Sequence, residues 1–231
     1  DGGLKALKTL KYILLGGGPA SETLLDICIR EELSIVKVYG MSETCSGTFG
    51  LKLLDEPSNK FYAGRPFPGA KVKIENNEIS ETSQIGIYLK AGSEITEETT
   101  IKGNYIHNNS GMGIHIKAHD NVIFNNILEY NSEVSLLISD SSGNNSIHNN
   151  TFKSNDDSPA KIDSSYYNIF RDNDFISSDD YFILEGGGYN TIDSNTFDDT
   201  GIILENSNNQ IITGNTITDA PDNGIRIFKS S

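Results

Sequence analysis

The residues best suited to chemistry in this sequence are pairs of aspartates that recur along its second half. Each pair follows an asparagine that also recurs, and carboxylate oxygens are the ligands that Ca²⁺ prefers. If the turns that carry the pairs stack on one another, their carboxylates gather at one edge and predict a calcium site. The alternative is that the pairs only build turns and keep the surface soluble. The candidate metal ligands are Asp156, Asp157, Asp179, Asp180, Asp198 and Asp199.

The recurring asparagine belongs to a motif, Ile/Phe-x-x-Asn-x-hydrophobic, that occurs seven times. By subtraction, successive copies lie 27, 22, 24, 23, 22 and 20 residues apart. A period of this size indicates a stacked-repeat fold. Two to three short strands fit into each period, and the abundance of Asn, Asp, Ser, Gly and β-branched residues disfavours helix. The repeated asparagines are Asn77, Asn104, Asn126, Asn150, Asn173, Asn195 and Asn215.

We therefore predict a mainly β fold in which residues 75–231 form a coil of seven rungs, with three short strands in each rung. Ile, Leu and Phe side chains form interior ladders, and the asparagines hydrogen-bond from rung to rung at a tight bend. The open ends of such a coil need caps. Residues 1–74 are predicted to cover the first end, and the uncovered last rung, with Ile225 and Ile227, predicts truncation or end-to-end self-association.

This pattern resembles the right-handed parallel β-helix repeats of pectate-lyase-like, carbohydrate-binding and sugar-hydrolase proteins. The resemblance implies polysaccharide as the ligand and an extracellular or cell-surface location. Pectate lyases of this fold use calcium-binding aspartates and a basic residue that abstracts a proton, so a calcium-dependent polysaccharide lyase is an alternative. Bases are scarce in the middle rungs after Lys153, where Lys161 and Arg171 are the only ones. We find no compact acid–base constellation in the sequence and expect no lyase activity.

Tyrosines and histidines supply the remaining candidates in this part of the chain. The four histidines form no close metal-ligand pattern and are predicted to face solvent. Six tyrosines are predicted to point outward and to offer a face for stacking on sugars, although scattered exposed aromatic residues are equally ordinary in β structure. These tyrosines are Tyr88, Tyr130, Tyr166, Tyr167, Tyr181 and Tyr189.

The first 74 residues have a different pattern, with the predicted order helix, strand, helix, strand. A glycine-rich turn follows the first strand, and a glycine-containing loop follows the second. In open α/β sheets, ligands bind at these carboxyl ends of the strands. The residues of the two predicted binding loops are Gly16, Gly17, Gly18, Pro19, Tyr39, Gly40, Met41, Ser42 and Glu43.

These two loops resemble those of the adenylate-forming acyl-CoA synthetases, and most closely the o-succinylbenzoate–CoA ligases. The resemblance implies ATP and Mg²⁺ as cofactors: Tyr39 packs on adenine, Ser42 contacts phosphate and Glu43 helps to bind the metal. A ring for stacking, a small donor and an anionic oxygen suit those roles. The family's phosphate loop, its ribose-binding Asp motif and its catalytic Lys have no counterpart in this sequence. We therefore expect a remnant site without ligase activity, because positioning of the reactants supplies much of the rate.

Charge divides the sequence at the same place. Residues 1–75 have a net charge of 10 − 9 = +1, whereas residues 76–231 have 8 − 23 = −15. The acidic part argues against a nucleic-acid partner, and no apolar run is long enough to span a membrane. Localisation stays open, because the ligase-like part suggests a cytoplasmic origin. We predict a chimeric, non-catalytic protein with a structural or polysaccharide-binding role.

Overall fold

The computed structural model describes residues 2–16, 20–41, 46–55, 57–59, 65–66, 72–90, 98–153, 155–176 and 180–229. It divides into two compact units, Asp1–Lys71 and Val72–Ser231. Among the described residues, no helix has both the length and the apolar composition needed to cross a membrane.

The first unit is a small α/β unit built on a four-stranded sheet in the order β1-β2-β3-β4. Strands β1 and β2 are parallel, and β3 is antiparallel to both β2 and β4. The side chain of Ser21 caps α2 by accepting from the Leu24 amide at 3.3 Å, and α2 buries Leu25 and Cys28. The elements are α1 Gly2–Leu7, β1 Ile13–Leu15, α2 Glu22–Arg30, β2 Ile35–Met41, β3 Ser46–Lys52, a 3-10 helix Pro57–Asn59 and β4 Arg65–Pro66.

The second unit is a three-sided coil in which every strand pairs in parallel with the equivalent strand of the next rung. The described residues form three sheets of seven strands each, which confirms the seven predicted rungs. Sheet 1 contains β5 Val72–Glu75, β8 Thr99–Lys102, β11 Val122–Phe124, β14 Ser146–His148, β17 Ile169–Arg171, β20 Thr191–Asp193 and β23 Ile211–Thr213. Sheet 2 contains β6 Glu78–Ser80, β9 Tyr105–His107, β12 Ile127–Glu129, β15 Thr151–Lys153, β18 Asp174–Ile176, β21 Thr196–Asp198 and β24 Thr216–Thr218. Sheet 3 contains β7 Ile87–Lys90, β10 Ile114–Lys117, β13 Leu136–Ile138, β16 Ala160–Asp163, β19 Phe182–Glu185, β22 Ile202–Glu205 and β25 Ile225–Phe228.

The predicted asparagine ladder lies at the corner between sheets 1 and 2. The side-chain amide of each asparagine donates to the Oδ1 atom of its counterpart in the next rung, at 2.9 to 3.1 Å. A buried amide cannot be solvated, so it must find its partners within the protein. The residue before each asparagine turns the chain in the left-handed backbone conformation. These turning residues are Asn76, Gly103, Asn125, Asn149, Asp172, Ser194 and Gly214.

Two further ladders occupy the other corners, five residues before and five residues after the first ladder. The ladder that enters sheet 1 joins Asn121, Asn145, Asn168 and Asn190 at 2.9 to 3.1 Å. The ladder that leaves sheet 2 joins Thr82, Asn109, Asn131 and Asn155 at 2.8 to 3.5 Å. All three corners of the coil are therefore held by side-chain amides or hydroxyls that bond across rungs.

The interior of the coil is one continuous apolar core. Phe152, Phe175 and Phe197 stack on one another from rung to rung, with ring centroids 4.8 and 4.7 Å apart. At the last rung Ile225 and Ile227 are exposed. The predicted end-to-end association and the predicted capping by the first unit both stay predictions.

Candidate functional site

Three of the predicted calcium ligands accept hydrogen bonds from neighbouring groups. The Oδ1 atom of Asp157 accepts from the Ser158 amide at 2.6 Å, and that of Asp180 accepts from the Tyr181 amide at 2.8 Å. Asp198 accepts from the Thr218 hydroxyl at 3.0 Å. No group of three or more His, Cys, Asp or Glu side chains within the described ranges could hold a metal ion. Asp156 and Asp199 are exposed, Asp179 lies outside the described residues, and calcium binding stays a prediction.

The predicted nucleotide loops are described only in part. Gly16 follows β1 at a close approach, because a Cβ atom there would lie 2.6 Å from Val38 Cγ2. Tyr39, Gly40 and Met41 form the end of β2, where the register with β3 shifts between Tyr39 and Gly40. Since β1 and β2 are parallel, both loops leave the same edge of the sheet. The other predicted loop residues lie outside the described residues: Gly17, Gly18, Pro19, Ser42 and Glu43.

Three tyrosines gather on the turns that lead from sheet 3 back to sheet 1. Tyr167 and Tyr189 belong to successive rungs, and their rings stack with centroids 5.2 Å apart at an interplanar angle of 12°. Tyr166 precedes Tyr167 in the chain, and its backbone bridges in parallel to Gly143 and Gly188 of the adjacent rungs. The three side chains are 40 to 57% exposed, so this aromatic surface is open to solvent. We call Tyr166, Tyr167 and Tyr189 the tyrosine platform.

The tyrosine platform keeps the backbone conformation of the surrounding rungs but places an unusual residue type in it. Tyr167 and Tyr189 have positive φ angles of 59° and 58°. The equivalent residues of neighbouring rungs are Asp120, Asn144 and Asn209, which adopt this conformation more readily. A bulky residue in the left-handed region is uncommon and costs free energy, and such outliers cluster at binding sites.

The other predicted tyrosines are not part of the platform. Tyr88 is exposed on sheet 3, and Tyr130 is exposed at the corner after β12. The prediction that Tyr181 points outward is wrong. Its side chain is buried, and its hydroxyl accepts from the Asn223 amide at 3.3 Å.

A second cluster, on sheet 2, combines side chains that the sequence analysis did not connect. The Tyr105 hydroxyl donates to Glu129 Oε1, and the Tyr105 ring stacks on His107 with a centroid distance of 4.0 Å. His107 Nε2 lies 3.2 Å from Glu78 Oε1, and the Asn108 side-chain nitrogen lies 2.8 Å from Nδ1. Because an amide nitrogen only donates, Nδ1 accepts and Nε2 carries the proton toward Glu78. The sequence carries a signal for this cluster, because Glu78 and Tyr105 follow a ladder asparagine by one position, and His107 and Glu129 follow one by three.

Tyr105 is expected to ionise at higher pH than an ordinary tyrosine. Its hydrogen bond to Glu129, followed by burial and the nearby carboxylate charges, raises the pKa of Tyr105 to about 12. Replacing Glu129 by Gln removes the charged acceptor and should bring this pKa back toward its ordinary value. The measurement is an alkaline titration followed by ultraviolet absorbance. The curve of the matching Tyr105→Phe variant is subtracted from that of each protein, which leaves the signal of Tyr105. If the pKa of Tyr105 were the same with Glu or Gln at position 129, the hydrogen bond to Glu129 would not be the cause of the raised pKa.

The histidines do not all face solvent as predicted. His115 is buried, and its Nε2 lies 2.9 Å from Ser139 Oγ. Burial, with a smaller contribution from Lys117, lowers the pKa of His115. His148 stacks on Phe124 with centroids 5.0 Å apart, and burial followed by the charge of Arg171 lowers its pKa.

Comparison with known families agrees with the coil. The family model described as right-handed β-helix region matches residues 60–152 and 145–231, which is more than half of the chain. The chain belongs to the right-handed β-helix family. The family fixes the architecture of this β-helix, because the repeated residues are its scaffold, whereas function depends on the side chains grafted on its surface.

A second family model, that of AMP-binding enzymes, matches residues 2–91 at the start of the chain. The two matches overlap at residues 60–91, so strands β5, β6 and β7 of the first rung are covered by both. The chain therefore joins an AMP-binding-like fragment to a β-helix, which fits a chimeric protein.

Curated relatives of the first part are 2-succinylbenzoate–CoA ligases. The enzyme from Bacillus licheniformis is 42% identical over 69 residues, which are 30% of this chain and 14% of the ligase. The enzyme from Listeria monocytogenes is 34% identical over 99 residues, which are 43% of this chain and 18% of the ligase. The enzyme from Lactococcus lactis is 34% identical over 76 residues, which are 33% of this chain and 17% of the ligase. The chain thus spans less than a fifth of the length of these relatives.

Among solved structures, the fluoroquinolone resistance protein QnrB1 aligns with 67% of this chain and 90% of its own. The sequence identity is 7% and the TM-score is 0.24, so this likeness carries no argument about the β-helix.

Proposed function

We propose that this β-helix is a non-catalytic polysaccharide-binding protein and that the tyrosine platform is its binding surface. The observation that supports the proposal is the exposed stack of Tyr167 and Tyr189, held in a backbone conformation that tyrosine rarely adopts. The apolar C–H face of a sugar ring packs on an aromatic ring, while the phenol hydroxyl stays available for hydrogen bonding. The repetition of the site by one rung suits a polymer of repeating units.

The surroundings of the platform supply polar partners for sugar hydroxyls. Asn144 and Asn209 are exposed at the equivalent positions of the flanking rungs, on either side of the tyrosine stack. Their amides can donate to sugar oxygens and accept from sugar hydroxyls. An aromatic surface with a few polar groups beside it is the usual composition of a small-molecule site. These features favour binding over catalysis at this surface.

The test is affinity gel electrophoresis in gels containing β-glucan, glucomannan or galactomannan. At least one of these polysaccharides should retard the chain, and the Tyr167→Ala/Tyr189→Ala variant should bind it at least roughly tenfold more weakly, because two stacking rings are lost. Tyr130→Ala is the matched control, since Tyr130 is 50% exposed and also has a positive φ, 52°, at another corner. Loss of binding in the control to the same extent, or no retardation by any of the three polysaccharides, would contradict the proposal.

A second candidate function is nucleotide binding by the first unit, favoured by its match to AMP-binding enzymes. Calorimetric titration with Mg-ATP tests it, with Glu43→Ala as the variant. Saturable heat that the substitution abolishes would support a remnant site. The absence of heat would remove this candidate.

A further inference from the structure

Carboxylates border the tyrosine platform on the side of sheet 3. Asp163, Glu185 and Glu205 occupy the last position of β16, β19 and β22, and the parallel register places them directly one above another. Each precedes by four residues a member of the column that contains Tyr167 and Tyr189. At no more than about 3.6 Å per residue, four residues span at most ~14 Å. Asp163 and Glu185 therefore lie within ~14 Å of Tyr167 and Tyr189 along the chain, and Glu205 lies within the same distance of Asn209 in the next rung.

Positive charge compensates this carboxylate column only in part. Lys161 Nζ lies 2.6 Å from Glu185 Oε2. Asp163 accepts from the hydroxyl of its neighbour Ser164 at 2.9 Å, which satisfies one oxygen without changing the charge. Glu205 is exposed, and no ion pair to it occurs within the described part of the chain. Arg226 of β25 adds a second positive charge, and its guanidinium lies over the ring of Phe228, the residue that pairs with Glu205. Three carboxylates and two cationic side chains leave the border of the platform with a net negative charge.

We propose that the tyrosine platform binds neutral hexose polysaccharides and discriminates against their uronate forms. This inference rests on the proposed function and adds the ligand class. A uronate chain on the platform would bring its carboxylates beside Asp163, Glu185 and Glu205, where like charges repel. The hydroxyls of a neutral sugar instead donate to the same oxygens, and hydrogen bonds to ionised acceptors are the stronger ones. The carboxylate column therefore acts as the specificity determinant of the site.

The experiment uses the same three polysaccharides before and after oxidation of their C6 hydroxyls to carboxylates. Each oxidised polymer keeps the backbone and linkage of its parent and differs in charge. In affinity electrophoresis at low ionic strength, the oxidised form should bind about tenfold more weakly than its parent. Added salt should narrow this difference, because it screens exposed charges.

Two double variants test whether the carboxylate column causes the discrimination. Glu185→Gln/Glu205→Gln should reduce the difference in affinity between the neutral and the oxidised polysaccharide. Asp198→Asn/Asp199→Asn makes the same change in net charge at another corner and should leave the difference unchanged.

The outcomes separate this inference from the proposed function. If an oxidised polymer retards the chain as much as its neutral parent, or more, the inference is overturned and the proposed function stands. Equal effects of the two double variants also overturn it, because net charge alone would then explain the discrimination. If none of the six polymers retards the chain, the proposed function fails and the inference fails with it.

Discussion

Replacing Asn150 by alanine should lower the free energy of unfolding by about 4 kcal/mol, because several buried groups lose their partners at once. The Oδ1 atom of Asn150 accepts from the backbone and side-chain amides of Asn126 at 3.0 and 2.9 Å. Its Nδ2 atom donates to the Ile123 and His148 carbonyls and to Asn173 Oδ1, at 2.9 to 3.1 Å. Alanine replaces none of these bonds.

The neighbouring residue provides the control. Asn149 is exposed and turns the chain with a φ of 54°, a conformation that glycine adopts without cost. Asn149→Gly should therefore change stability by well under 1 kcal/mol. Urea unfolding followed by circular dichroism measures both variants. If Asn150→Ala were no less stable than Asn149→Gly, the ladder would not be a major source of stability.

Replacing Phe175 by alanine should destabilise the β-helix by about 3–5 kcal/mol, the usual cost of truncating a buried aromatic residue. Phe175 is fully buried and stacks between Phe152 and Phe197. The ring centroid of Phe175 also lies 5.5 Å from that of Phe182, which belongs to sheet 3. Alanine would leave a cavity in the middle of the coil, where the rungs on both sides limit collapse.

The control for this substitution is Ile127→Thr. Ile127 is exposed on sheet 2, and threonine keeps the β-branched shape that suits a strand. Its effect should stay within about 0.5 kcal/mol. Comparable midpoints of urea unfolding for the two variants would show that the stacked phenylalanines contribute little.

The repeat predicted the coil because stacking places equivalent residues of each period on top of one another. One asparagine per period was enough to count seven rungs. The same argument predicts the other two ladders, since Asn145 and Asn155 stand five residues before and after Asn150. Hydrophobic alternation does not locate these corners, because the strands between them are only three residues long.

Contacts between side chains of different rungs are harder to predict from the sequence than the rungs themselves. The aligned asparagines Asn104 and Asn126 fix the register of β9 and β12, but they do not show that the Tyr105 hydroxyl reaches Glu129. The stack of Tyr167 on Tyr189 likewise requires that both residues adopt the left-handed conformation, which residue type argues against. The position of Tyr181 before β19 does not reveal that its side chain is buried and reaches Asn223 of a later rung.

In the first unit, the loop resemblance agrees with the match of residues 2–91 to AMP-binding enzymes, and the predicted helix and strand order agrees with α1, β1, α2 and β2. The antiparallel strands β3 and β4 were not predicted, because their sequences lack a clear apolar alternation. The overlap of the two family matches shows why the join is hard to place from sequence: the first rung fits both patterns.

The most direct test of the central claim is a nuclear magnetic resonance titration of the chain, labelled on its tyrosine rings, with an oligosaccharide from the polysaccharide that retards it most. The chain has 10 tyrosines and no tryptophan, so the aromatic spectrum is simple. Binding at the platform should shift the ring signals of Tyr166, Tyr167 and Tyr189 and leave those of Tyr88 and Tyr130 in place. Shifts confined to Tyr88 or Tyr130, or no shift at saturating oligosaccharide, would contradict the account.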